Sequence, residues 1–342
     1  MNTNNLYNKI ALSQNENAYG PSPKAKLAVL ETVERMNKYP EYHSKTLQIK
    51  LADKLNLNAE NVFVSAGLVE STDILIRNFI NNDETLIIGE YSFVAYRLLA
   101  KVFNKRVRFS KMQAFRIDVN DVLTLCNDKT RMIIIDNPNN PTGTVISEKE
   151  LIKILNGVPK STLVVIDEAY IEYVNFKNYP DSLNLQKKYS NLIVMRTFSK
   201  IYGLAGLRVG YTIANKELIK KFYNYQAPFS INKLALVAAF HAIDDNNYIK
   251  KCHSSNLLCR NKLYHALKDK GVSVAPSESN FLFVHFNTKD LRDSLFNQMQ
   301  EKNIFVRKTD LFGYDKAFRI TIGTKKMNDS VIEYLKEMKL LL

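Results

Sequence analysis

Short apolar runs alternate with stretches of helical period along most of the chain. The runs that read as strands are Val62–Ser65, Thr85–Ile88, Arg106–Phe109, Arg131–Asp136, Thr162–Asp167, Leu192–Arg196 and Arg208–Ile213. Between them, Val69–Ile80, Phe93–Phe103 and Glu148–Leu155 repeat apolar residues at helical spacing. Alternating strand and helix predicts an α/β layer with a mostly parallel sheet, and near-continuous apolar strands imply burial on both faces.

After about Pro228 the pattern changes. Helical stretches over Lys233–Ile243 and Tyr248–Lys270 precede a strand at Phe281–Phe286, a helix at Leu291–Glu301, strands at Phe305–Arg307 and Phe318–Ile322, and a last helix from Asn328. Such a run predicts a smaller α+β unit. The expected organisation is a large domain over residues 36–232 and a small domain over 233–342, with residues 1–35 packing on the small domain and the site. No repeat, low-complexity block or Pro/Ser-rich linker interrupts the chain.

Composition narrows this little. The 342 residues are 46% hydrophobic and 24% charged, an ordinary globular balance that excludes wholesale disorder. No apolar stretch reaches the roughly 18 residues that a membrane helix needs. The N-terminus shows no secretory pattern. Three cysteines (Cys126, Cys252, Cys259) without a CxxC pair point to a reducing, cytoplasmic setting and argue against a disulfide framework or a zinc site. The net charge of +14 comes from Lys and Arg interleaved with acids. It reads as a basic surface that attracts small anions, and no nucleic-acid motif accompanies it.

The chemistry lies where strands end, as in open α/β sheets generally. Asn137-Pro138-Asn139-Asn140-Pro141-Thr142-Gly143 follows one apolar strand, and Asp167-Glu168-Ala169-Tyr170 follows the next. Thr197-Phe198-Ser199-Lys200 follows a third, and Gly203-Leu204-Ala205-Gly206-Leu207-Arg208 follows closely. Taken singly, each has a plain structural explanation as a loop or a helix cap. Together they supply an amide, a carboxylate, a phenol, a lysine between hydroxyls and an arginine. That set suits a phosphorylated aromatic aldehyde. The lysine forms a Schiff base, the carboxylate holds a protonated ring nitrogen, the phenol and amide meet the ring oxygen, and hydroxyls with arginine clamp phosphate.

NPNNPTG, IDEAY and TFSKIYGLAGLRVGY resemble the signature of fold type I pyridoxal-phosphate (PLP) aminotransferases, and more narrowly the histidinol-phosphate aminotransferase group. The resemblance runs from about Leu12 to the C-terminus. It implies that Lys200 carries the cofactor and acts as the base, that Asp167 pairs with the pyridinium, and that Tyr170 and Asn140 bind the ring oxygen. Thr197, Ser199, Arg208 and the backbone of Leu68 and Val69 would hold the phosphate. Phe93 falls where the family stacks an aromatic on the ring. A core role for this residue is equally open on the sequence. Tyr39 matches a tyrosine that reaches the neighbouring subunit's cofactor phosphate, which implies a homodimer with shared sites. Val69 stands where the family commonly has an acid.

For substrate, the resemblance implies Arg319 on the α-carboxylate, Arg307 on a substrate phosphate, and the segment Asn15-Glu16-Asn17-Ala18-Tyr19-Gly20-Pro21, with Asn17 and Tyr19, near the pocket. The family's N-terminal Pro-Tyr is absent, Ala18 replaces a proline, and Phe229 stands where some members have tyrosine. The expected reaction moves an amino group between glutamate/2-oxoglutarate and a phosphorylated carbonyl compound. A smaller ketone such as dihydroxyacetone phosphate, and a PLP-dependent decarboxylase of a phosphorylated amino acid, stay open as alternatives. A DNA-binding regulator built on this fold is not expected, because the chain starts close to the substrate loop. The histidines lie outside the motifs.

Overall fold

The computed structural model describes residues 9–337. The first eight residues of the expected N-terminal segment, and residues 338–342, lie outside the described residues. The centre is a seven-stranded sheet. Its strands are β1 (Val62–Ser65), β2 (Thr85–Gly89), β3 (Arg106–Ser110), β4 (Thr130–Asp136), β5 (Leu163–Asp167), β6 (Leu192–Thr197) and β7 (Gly210–Ile213). They lie in the order β1-β7-β6-β5-β4-β2-β3. Neighbours pair parallel except at β7, which runs antiparallel to both β6 and β1.

Burial explains the apolar runs. Met132, Ile134, Val165 and Ile193 face one core, while Ile133, Ile135, Val164 and Val194 face the other. Successive residues of a strand thus enter opposite layers, and both layers are dry. Helices cover the two faces. Leu68–Phe79 buries Ile74, Leu75 and Phe79 on one side, and Glu148–Gly157 buries Leu151, Ile154 and Leu155 on the other. The latter starts on a Ser147/Glu150 capping box, which satisfies backbone donors that the first turn leaves open.

A second, four-stranded antiparallel sheet orders β8 (Ser273–Val274), β9 (Phe281–His285), β11 (Ala317–Thr321) and β10 (Arg307–Lys308). Helices Asn246–Asp269, Lys289–Glu301 and Lys325–Glu337 bury Leu263, Leu295 and Val331 with this sheet. The N-terminal strand Ile10–Ala11 pairs parallel with Ile304–Phe305, and Leu12 enters the same core.

Three features depart from the sequence pattern. The single strand expected at Phe305–Arg307 is two: Ile304–Phe305 pairs with the N-terminus and Arg307–Lys308 with β11. β7 begins at Gly210 and not at Arg208, because Arg208 adopts a left-handed backbone with φ 59°. Helices Pro23–Val33 and Lys45–Leu55 are not legible in the pattern. In the first, only Ala25 and Ala28 are buried while Leu27 and Leu30 face outward, so its apolar residues do not mark one face. Helix Lys233–Ala242 buries its alanines against the large sheet's core.

Candidate active site

The carboxyl ends of β4, β5 and β6 bring the motif residues together. Asp167 ends β5 and is buried. One of its oxygens accepts from Tyr96 Oη at 2.8 Å and the other from the Ala169 N–H at 3.0 Å. Its neighbour across the ladder, Asp136 at the end of β4, accepts the backbone N–H groups of Asn140 (2.8 Å) and Phe93 (3.2 Å). Burial raises both carboxyls, Asp167 to about 6 and Asp136 to about 7.

A carboxyl whose folded pKa exceeds its unfolded one binds more protons when folded. Stability therefore falls as pH rises from about 4 through about 7. The cofactor-free protein is expected to melt at a lower temperature at pH 8 than at pH 5, and Asp167→Asn should flatten that slope. Calorimetry across this range checks it; an unchanged slope in the variant would refute the assignment.

Lys200 follows β6. No hydrogen bond or ion pair engages its amine among the described residues, and Nζ lies 5.5 Å from the Tyr170 ring centroid. Burial of the amine, with Arg319 and Arg208 nearby, lowers its pKa to about 8. Tyr170 is buried, and its Oη accepts from Asn15 Nδ2 at 2.9 Å. Asn140 does not present a free carbonyl: its Oδ1 accepts from Arg319 Nη1 at 2.5 Å.

On the other side of the lysine, Arg208 Nη1 donates to Ser199 Oγ at 3.3 Å, and Thr197 Oγ1 accepts the Ser199 N–H at 3.1 Å. The guanidinium lies over the start of helix Leu68–Phe79. Gly67 stands at φ 78°, ψ 163°, a backbone that glycine alone adopts without strain, and a Cβ there would sit 2.6 Å from Arg208 Nη2. No side chain caps that helix at Gly67. Leu68 and Val69 thus open a helix N-terminus beside an arginine, an arrangement suited to phosphate. Val69 itself is 40% exposed.

Arg319, on β11, is 4% exposed and has no carboxylate partner among the described residues. Its Nη2 donates to the Ser13 carbonyl at 2.8 Å, its Nε is unsatisfied, and Phe281 and Phe312 rings flank it. A buried cation without a counter-ion is costly and marks a place for an anion. Arg307 pairs directly with Arg319 across β10 and β11.

Other expected residues sit differently. Phe93 caps helix Val94–Val102 and does not belong to it; its ring meets Tyr96 edge-on at 5.7 Å. Asn17 donates to the Ile201 carbonyl at 2.7 Å, which ties its loop to the lysine turn, and Tyr19 is partly exposed beside it. Tyr39 is 81% exposed, and its ring packs at a tilt against Phe229, centroids 5.0 Å apart. The motifs do not single out Tyr96, Asn15 or Asp136. Tyr96 lies one helical turn from Phe93, and that spacing is a signal that could expose it.

A family model for aminotransferase class I and II matches residues 7–335. This chain belongs to the class I and II aminotransferases. The histidinol-phosphate aminotransferase of Moorella thermoacetica is 38% identical over 330 residues, spanning 96% of this chain and 85% of the relative. That of Bacillus subtilis strain 168 is 36% identical over 330 residues, spanning 96% and 91%. A putative histidinol-phosphate aminotransferase from Erwinia carotovora atroseptica superposes with a TM-score of 0.90 at 28% identity, covering 96% of each chain. The Sinorhizobium meliloti enzyme, solved with pyridoxal-5'-phosphate, gives 0.89 at 24% identity, a likeness of fold. The chain is a PLP-dependent aminotransferase of fold type I. No described helix is long and apolar enough to cross a membrane, and no described cluster of His, Cys, Asp or Glu could hold a metal.

The residues present fit the cofactor. A free amine, a buried carboxylate near it, and an uncapped helix start beside Arg208 are the donor and acceptor set that a phosphorylated pyridine aldehyde requires.

Proposed function

We propose that this aminotransferase moves an amino group between glutamate/2-oxoglutarate and a phosphorylated carbonyl compound, with imidazole acetol phosphate as the acceptor. The single observation that carries the reading is the pair of arginines with no carboxylate partner among the described residues, Arg319 near Lys200 and Arg307 opposite it in the ladder of β10 and β11. One would take the α-carboxylate of glutamate in bidentate fashion, and the other the phosphate of the acceptor. The names of the relatives supply the imidazole.

Lys200 would hold the cofactor, Asp167 its ring nitrogen, Tyr170 and Asn140 its ring oxygen, and Thr197, Ser199, Arg208 and the Leu68 and Val69 backbone its phosphate. When bound, the cofactor supplies an electron sink that stabilises negative charge on the substrate α-carbon. The chain does the rest. Lys200 Nζ, with its pKa near 8, would move the proton between that carbon and the cofactor's aldehyde carbon in each half-reaction, one way in the first and the other way in the second. Asp167 stays ionised once a cation faces it, since an opposite charge offsets the burial that raises its pKa. Phe93 would cover one ring face. Asn17 and Tyr19 would shape the substrate side of the lysine turn.

The working form would be a cytoplasmic homodimer. An exposed aromatic pair, Tyr39 with Phe229, and the outward Leu27 and Leu30 support it. Tyr39 would complete the partner subunit's phosphate site.

A half-reaction screen tests the substrate. Glutamate converts the loaded enzyme to its aminated form. Imidazole acetol phosphate should then restore the original spectrum at least about tenfold faster than dihydroxyacetone phosphate, the span expected of about 1.4 kcal/mol in recognition. Faster recovery with the smaller ketone would replace the acceptor. Carbon dioxide release from a phosphorylated amino acid, without need of 2-oxoglutarate, would make the enzyme a decarboxylase.

A further inference from the structure

Asn15 is fully buried although it lies in a loop, and its backbone stands at φ 58°. Its N–H donates to Thr321 Oγ1 at 3.0 Å, and the Thr321 hydroxyl donates back to Asn15 Oδ1 at 3.1 Å. Its carbonyl accepts from Asn280 Nδ2 at 3.0 Å. The reciprocal pair with Thr321 settles how the amide faces. A hydroxyl whose lone pair takes the Asn15 N–H has its own proton available for Oδ1. Nδ2, and not Oδ1, therefore meets Tyr170 Oη, at 2.9 Å.

A phenol carries one proton. With Nδ2 filling an acceptor position on Oη, that proton must point elsewhere, and the described residues give it no acceptor. We infer that Asn15 is a positioning residue that holds Tyr170 as a hydrogen-bond donor toward the cofactor ring oxygen. Burial keeps Tyr170 protonated, with its pKa pushed up to about 12. The same segment also reaches the carboxylate arginine: Ser13, two residues before Asn15, accepts from Arg319, and Thr321 lies two residues after Arg319 on β11. The loop after the N-terminal strand thus ties the phenol to the strand that would hold the substrate carboxylate.

The inference rests on the proposed placement of Tyr170 against the ring oxygen. A proton donated to that oxygen draws negative charge away and makes the nitrogen of cofactor-bound Lys200 less basic. Losing the donor raises the pH midpoint of the visible absorbance of the loaded protein.

Four variants test it: Asn15→Gly, Asn15→Asp, Tyr170→Phe and the double variant Asn15→Gly/Tyr170→Phe. Glycine suits the positive φ and removes the side chain alone. Tyr170→Phe should raise the midpoint by about 1 pH unit, and Asn15→Gly by up to the same amount. Adding Asn15→Gly to Tyr170→Phe should raise it no further. Asn15→Asp, which accepts the phenolic proton, should raise it at least as far as Asn15→Gly and covers the case where the glycine variant does not fold. An unmoved midpoint in Asn15→Asp, or in a folded Asn15→Gly, overturns the inference while Tyr170→Phe still shifts. An equal shift from Asn15→Gly in both backgrounds assigns Asn15 a merely structural role and also overturns it. If Tyr170→Phe itself leaves the midpoint in place, the placement of Tyr170 fails first.

Discussion

Lys200→Ala is expected to lose turnover by at least about 10⁴-fold and to remove the visible absorbance of the cofactor-loaded protein. The size of the effect follows from the surroundings of the amine. Lys200 Nζ lies near Tyr170, Asp167 and Arg319, and no hydrogen-bond acceptor among the described residues engages it, so the amine is free to hold the cofactor and carry the proton. Its depressed pKa, about 8, leaves a useful fraction unprotonated near neutrality, which a surface lysine would not have. Glutamate half-reaction rates and the absorbance spectrum check this together. Wild-type turnover in the alanine variant would end the assignment.

Asp167→Ala is expected to cost about 10³-fold in kcat with the cofactor held saturating. The carboxylate is buried, and its two oxygens are already aimed by Tyr96 and the Ala169 N–H, so in the proposed site it would meet a cationic ring nitrogen without reorganisation. Removing it would leave that ring charge unpaired in a buried site, weaken the electron sink that the cofactor supplies, and so make the substrate proton harder for Lys200 to remove. Asp167→Asn keeps the shape but not the charge and should fall nearly as far. Steady-state rates with cofactor affinity measured separately would check both. Loss of affinity alone, with kcat intact, would show that Asp167 anchors the cofactor and does not activate it.

Parts of this site are legible in the amino-acid order. Asp167, Thr197, Ser199 and Lys200 directly follow or end apolar strands, and a polar residue at such a tip stands out because nothing in a buried strand needs it. Arg208 is legible through its glycine-rich surroundings. Tyr96 is hidden for the opposite reason: a buried ring at helical spacing looks like core packing, and the partner that gives its hydroxyl a purpose lies 71 residues away. Asn15 belongs to a segment that the family resemblance places near the substrate, yet Asn17 and Tyr19 look like its working members. The fold places Asn17 against the lysine turn and Asn15 against the phenol.

By itself, the amino-acid order determined the local period of most segments, though not of helices Pro23–Val33 and Lys45–Leu55, and hence the α/β layer, and the residue types at the strand tips, and hence the cofactor chemistry. Both depend on neighbours within a turn or a strand, where sterics and hydrophobic patterning act directly. Only the tertiary structure decided the antiparallel β7, the split of Phe305–Arg307 between two sheets, the absence of a carboxylate partner for Arg319 among the described residues, and the meeting of Asn15 with Thr321 across 306 positions. Those follow from how whole layers pack and which polar groups burial leaves facing one another, a balance that short-range pattern does not encode.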